Sequence, residues 1–352
     1  TGDCICPVSP SFFNHRVGFL KLPKPLPHHE TWIPVEDGAA MTAQVVKLIS
    51  EQTGDEVSIL VSQGFNCFSW KRPNAASGRD ILWATDAFAS GTERASSCGI
   101  PILFPFPGRL RGTQFSWNGQ QYDLEPGDAF GNAIHGFVHT RAWRIVEQSS
   151  HSVTAEIQAS IDDPELLEKW PGDFHLVASY EFVESGLRFA WTVTNRGDED
   201  LPYGLGVHPY FRIESLGGDL ESCKLQVPVD EVWALDDMLP TGGVNPDPFG
   251  LKGGITIEGK NLDHVFASSE SILKSQNSAF LCGTQGQEIR VSYGEEYPFC
   301  VVYTPDHREA ICIEPYTCLP NSPEFLEGDR PTGWRLLKPG ASFSSTLTYA
   351  WT

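Results

Sequence analysis

With 352 residues, 40% of them hydrophobic, 20% charged and ten of them Trp, the chain has ample material for a core and excludes overall disorder. A formal net charge of -20 without any run of Lys or Arg excludes nucleic acid as a partner, and no apolar stretch approaches the ~20 residues that span a bilayer. The nine cysteines form an odd set without paired CxxC spacing, which writes no zinc ribbon and fits a reducing, cytoplasmic setting.

Residues 1–40 carry Pro7, Pro10, Pro23, Pro25, Pro27 and Pro34 in an irregular pattern, which predicts an N-terminal extension ahead of one domain over 41–352. Cys4 and Cys6 lie within that extension and read as a plain tail. From about Val45 the pattern turns to strands. Short runs at 57–62, 67–71, 115–124, 143–148, 152–159 and 176–182 come first. The segment 187–194 then alternates large apolar with smaller or polar residues, the period-2 mark of a strand with one buried face. Further runs follow at 225–229, 254–258, 288–293, 299–304, 310–314 and 342–351. Two short helices are predicted, one over 163–170 with Asp163 as N-cap and Pro164 at the first helical position, the other around 80–89. Amphipathic helices long enough for parallel crossovers are missing, so the expected fold is all-β, a large antiparallel sandwich with a few short helices.

Three ionisable residues stand in stiff, apolar contexts: His135 in Asn132-Ala133-Ile134-His135-Gly136, His208 in Val207-His208-Pro209-Tyr210-Phe211, and Glu314 in Ile311-Cys312-Ile313-Glu314-Pro315. Such frames desolvate a group and fix its direction, which is how an acid and a base are tuned towards neutral pH. The aromatics Tyr210, Phe211 and Tyr316 are candidates for a cleft wall, whereas Trp143 and the strand tryptophans read as core. A rival use of the histidines is a metal site, because His135 and His139 are four apart and on one strand would share a face, with His208 as a third ligand.

The order Gly99-Ile-Pro-Ile-Leu-Phe-Pro105 with Gly108-Arg109, then Asn132…His135-Gly136 with Trp143, then His208-Pro209-Tyr210-Phe211, then Leu262-Asp263-His264-Val265-Phe266, then Glu314-Pro315, resembles the aldose 1-epimerase (mutarotase) family. The resemblance covers roughly 44 to 350. It implies a β-supersandwich of the galactose mutarotase type and interconversion of the α and β anomers of a small sugar, without a cofactor or metal. By motif it implies Glu314 as base, His208 as acid, and Arg109, His135 and Asp263 as contacts to substrate hydroxyls. Arg111 competes with Arg109, and His264 with Asp263, for those positions.

Some positions depart from the galactose-type pattern. Gly108 precedes the Arg where Asn is usual, Arg212 follows His-Pro-Tyr-Phe where Asn is common, and Tyr316 follows Glu-Pro where Gln is common. His135-Gly136-Phe137 is also similar to the hexose-6-phosphate branch, in which Arg212 or Arg141 would serve a phosphate. A non-catalytic sugar-binding module on the same fold is the other reading. It would tolerate losing Glu314 or His208, and both are present.

Overall fold

The computed structural model describes residues 43–73, 80–274 and 278–352; the predicted extension over 1–40, with Cys4 and Cys6, lies outside the described residues. Two large antiparallel sheets dominate, one of nine strands and one of eight. The nine-stranded sheet runs in the order Ile255–Thr256, Lys224–Gln226, Ser278–Cys282, Glu288–Tyr293, Ser342–Trp351, Gly186–Asn195, Phe174–Val183, Ser152–Gln158, Arg144–Gln148. Its long central strands follow the period-2 rule. Leu187, Phe189, Trp191 and Val193 are buried, while the residues between them are partly or fully exposed.

The eight-stranded sheet orders Leu239–Pro246, Glu231–Asp236, Asp263–Ala267, Phe299–Tyr303, Ala310–Tyr316, Gly206–Val207 and Ile102–Leu103, with Tyr210–Arg212 also paired to Ala310–Tyr316. The strand Ala310–Tyr316 is buried at every position, as expected for one covered on both faces. Ile311 and Ile313 enter the main core from one face, and Ala310, Cys312, Glu314 and Tyr316 share the other. Among the described residues no helix is long and apolar enough to cross a membrane, and the seven described cysteines are unpaired.

Several predicted elements need correction. The run 115–124 is a hairpin, Gln114–Trp117 and Gln120–Asp123, because Asn118 and Gly119 both take positive φ, as a two-residue hairpin turn requires. In 163–170, helix covers only Leu166–Lys169, and a separate turn of helix, Ala159–Asp162, precedes it. Asp163 caps nothing with its side chain, since its carboxylate accepts from Arg141 Nε at 2.6 Å. Around 80–89 the one helical turn is the 3-10 segment Phe88–Ser90. The earlier residues are spent on the sheet, with the Asp80 carboxylate accepting from the Trp70 and Leu82 amides. The runs at 225–229 and 254–258 shrink to Lys224–Gln226 and Ile255–Thr256. Glu231–Asp236, Leu239–Pro246, Asp263–Ala267 and Ser278–Cys282 are strands that the sequence pattern missed.

Candidate active site

Register explains how three distant motifs meet. The central strand pairs Tyr316 with Gly206 and Cys312 with Tyr210, so the residue between the two pairings, His208, falls opposite Glu314. Directly opposite residues share a face and lie within side-chain reach. His208 Nε2 stands 3.3 Å from Glu314 Oε1, and both side chains are buried. His208 is held by its amide, which donates to the Pro101 carbonyl at 3.0 Å, and by its ring, which stacks on Tyr210 at 4.6 Å and 4°. The proline that follows keeps this residue out of helical backbone.

Two residues beyond Glu314 on the same face, Tyr316 donates its hydroxyl to Glu314 Oε2 at 2.6 Å. Here the tyrosine supplies Glu314 with a donor. Its ring needs Gly206 as cross-strand partner, because a Cβ there would come within 2.4 Å of Tyr316 Cδ1. On the other flank Asp263 pairs with Tyr303, which pairs with Cys312, which pairs with Tyr210, so the four form one row on the same face. The competition between Asp263 and His264 is thereby decided by alternation. His264 turns to the opposite face, against Phe249 and Phe266.

Arg109 and His135 arrive from a two-residue ladder in which Arg109 pairs with Ile134. The His135 amide donates to the Gly108 carbonyl at 2.8 Å. Gly108 sits at φ +67, and a Cβ there would come within 2.7 Å of Pro320 Cγ, so backbone and space both call for glycine where the family pattern has Asn. Arg109 Nε binds Asp128 Oδ2 at 2.8 Å, and Asp128 is in turn fixed by the Phe130 and Asn132 amides. The rival Arg111 pairs with Glu324 and is more than half exposed. The His135 ring meets His208 edge-on at 5.6 Å.

The proposed histidine metal set is not assembled. His135 takes φ +67 and His139 sits in a 3-10 turn, Val138–Thr140, so their four-residue spacing does not place them on one strand face. Of the arginines suggested for a phosphate, Arg141 is bound to Asp163 and Arg212 donates to the Leu82 and Ala84 carbonyls at 3.2 and 3.3 Å. Trp143 is core, stacked on Phe65.

Burial governs the electrostatics. Desolvation pushes Glu314 well above the usual carboxylate range, with the Tyr316 hydrogen bond opposing and the nearby Asp263 charge reinforcing. Desolvation pushes His208 down to about 3, and Arg94 and Arg109 add in the same direction. His135 is lowered well below its ordinary value, first by burial and then by its histidine neighbours, and His139 falls to about 3 by burial and the fields of Arg94 and Arg141. Arg94 was missed by sequence reasoning. It binds Ser96 Oγ and the Gly127 carbonyl at 3.1 Å each, and its charge reaches His135, His139 and His208. Nothing in its local sequence marks it. Asp128 and Tyr303 were missed likewise, although the turn-rich stretch around Gly127-Asp128 hinted at a structured loop.

The same arrangement of sheets occurs in solved proteins. A galactose mutarotase-like protein from Clostridium acetobutylicum superposes with a TM-score of 0.75 at 22% identity, covering 88% of this chain and 99% of that one. Galactose 1-epimerase from Lactobacillus acidophilus NCFM gives 0.67 at 18% identity, covering 88% and 99%. In sequence, the uncharacterised Escherichia coli K12 protein YihR is 27% identical over 229 residues, 63% of this chain and 70% of the relative. The family profile described as aldose 1-epimerase matches residues 48–350, which takes in every strand of both large sheets except the last residue of Ser342–Trp351. With the β-sandwich, the order of the motifs and that match in agreement, the chain belongs to the aldose 1-epimerase family.

Proposed function

We propose that the protein is a mutarotase that interconverts the α and β anomers of a free aldohexose, with Glu314 and His208 as its proton-transfer pair. The observation that carries this reading is the facing of these two groups, Oε1 to Nε2 at 3.3 Å, in a buried site lined by further polar side chains. In the opening step Glu314 takes the proton of the anomeric hydroxyl while His208 gives one to the ring oxygen. The C1–O5 bond breaks and the C1 hydroxyl becomes a carbonyl. Rotation about C1–C2 presents the other carbonyl face, and the same two transfers in reverse close the ring. No redox change occurs, and the pair ends each cycle as it began.

The electrostatics suit such a shuttle. The pair holds one proton in two forms, glutamate with imidazolium or glutamic acid with imidazole. Burial favours the second, uncharged form, as the raised Glu314 and lowered His208 both say. The Tyr316 donor and the field of Arg109 favour the glutamate. Those pulls temper the preference for the uncharged form, and ring opening converts the first form into the second. Arg109, His135 and Asp263 surround the pair with donors and acceptors for sugar hydroxyls, and Tyr210 and Tyr316 flank it.

A neutral sugar is favoured over its 6-phosphate because Arg141 and Arg212 are both engaged elsewhere, while the Asp263 carboxylate beside the net-neutral pair repels a dianion. Polarimetry on freshly dissolved α-anomers of glucose, galactose and glucose 6-phosphate tests the reading. Faster mutarotation of a neutral hexose than in buffer is expected. No acceleration of any neutral aldose would sink it, and acceleration of glucose 6-phosphate alone would move the function to the phosphosugar branch.

A further inference from the structure

We infer that His208, Cys312 and Glu314 together form a zinc-binding site overlapping the proton-transfer pair, so that zinc competes with the sugar. Cys312 is a buried thiol that the proposed reaction does not use. It lies two residues before Glu314 on the same strand face, and the ladder places it beside Tyr210, next to His208. One ligand atom from each of the three residues lies within 4.8 Å of the others. A tetrahedral zinc with imidazole, thiolate and carboxylate ligands holds those atoms about 3.3–3.6 Å apart, as its bond lengths near 2.0–2.3 Å dictate. The Nε2 to Oε1 distance of 3.3 Å already fits, and the sulfur needs an approach of at most about 1.3 Å.

A second observation points the same way. Glu314 Oε1 is buried without any hydrogen bond and faces Nε2 of His208, a costly arrangement for a polar atom that a cation between them would satisfy. Its partner oxygen Oε2 is held by Tyr316, which fixes the carboxylate in the manner of the groups that commonly orient metal ligands. Nitrogen, sulfur and oxygen donors in one set suit zinc, and three protein ligands leave a fourth position for water or a sugar hydroxyl. On binding, Zn2+ replaces two protons, the one on the Cys312 thiol and the one shared by His208 and Glu314, and both leave to solvent. With the lone pairs of Glu314 and His208 taken, neither group can accept a proton.

The test uses the full chain with Cys4→Ser and Cys6→Ser, so that thiols outside the site do not answer for it. Calorimetric titration with zinc is expected to show binding that Cys312→Ala weakens at least about tenfold. Cobalt should give a near-ultraviolet thiolate charge-transfer band that Cys312→Ala removes. Should the alanine variant fold poorly, Cys312→Ser preserves the volume, and the cobalt band of the protein with Cys312 intact is read without any core change. Zinc affinity unaltered by both substitutions, or cobalt binding without the band, overturns the site. The effect on turnover rests on the mutarotase reading. Zinc should slow mutarotation, EDTA should restore it, and the fractional slowing by zinc should be smaller in Cys312→Ala, each protein being compared with its own metal-free rate. Thiol-dependent zinc binding in a protein that mutarotates nothing would leave the site standing and remove the proposed function.

Discussion

Asp55 and Glu314 are equally buried carboxylates, each about 1% exposed, with opposite surroundings. Asp55 accepts from Trp70 Nε1 at 2.8 Å and from Arg72 Nε and Nη2 at 2.9 and 3.1 Å, and Arg72 is itself capped by the Trp351 ring. Both of its oxygens are satisfied. Glu314 accepts one hydrogen bond, from Tyr316, and its Oε1 has none, facing Nε2 of His208 at 3.3 Å. Burying a carboxylate oxygen with so few donors costs free energy. The first carboxylate spends its lone pairs on the fold, and the second keeps one free for chemistry.

The sharpest break of that contrast is Glu314→Gln. The amide keeps the Tyr316 contact but cannot accept a proton, so mutarotation should fall about 10²–10⁴-fold while thermal stability holds or rises. A folded variant with near wild-type polarimetric rate would remove Glu314 from the reaction. Asp55→Asn should do the reverse. Losing the charge partner of Arg72 is expected to cost about 1–3 kcal/mol in urea unfolding, with the rate per folded molecule unchanged. If activity falls as far as stability, the two carboxylates are not separate in role.

The sequence revealed the second cluster but not the first. His208, Glu314 and His135 were legible because stiff, apolar neighbours frame an ionisable residue, and because their motifs come in a recognisable order. The long strands such as Gly186–Asn195 were legible from alternation. Elements with weaker patterns were lost: Leu239–Pro246 holds Gly242, Gly243 and two prolines, and only its pairing to Glu231–Asp236 makes it a strand. Asp163 looked like a cap until Arg141, 22 residues away, claimed its carboxylate. The choice of Asp263 over His264 required the register, since a one-residue slip exchanges the faces. Arg94 was illegible because its meaning lies in through-space fields, not in its neighbours.

Acid sensitivity sharpens the comparison further. His139 is neutral in the fold, lowered to about 3, but protonates near 6.5 when unfolded. Its contribution is therefore present in full above pH 6.5 and is lost as pH falls from there towards 3. His208 and His135 act with the same sign. Below pH 6.5, His139→Gln should make the decline of unfolding free energy with acid shallower by up to about 1.4 kcal/mol per pH unit. Urea titrations between about pH 7.5 and 5 measure it. Parallel slopes for the variant and the parent would mean that water or an anion reaches His139.

Tyr316→Phe is the finest of these probes, because it removes one donor and leaves the ring against Gly206. The hydroxyl lowers Glu314 against the upward push of burial, so its loss raises Glu314 further. Two consequences follow for a pair that works with one shared proton. The uncharged form gains at the expense of glutamate with imidazolium, so the rate at neutral pH should drop about tenfold, the worth of one hydrogen bond to a charged group at the low end. The pair also gives up its proton at a higher pH, which moves the alkaline limb of the rate profile upward, whereas a purely structural role for Tyr316 would lower the profile without shifting it. If Tyr316→Phe loses rate with its alkaline limb unmoved, the hydrogen bond at 2.6 Å belongs with those of Asp55, on the side of the fold.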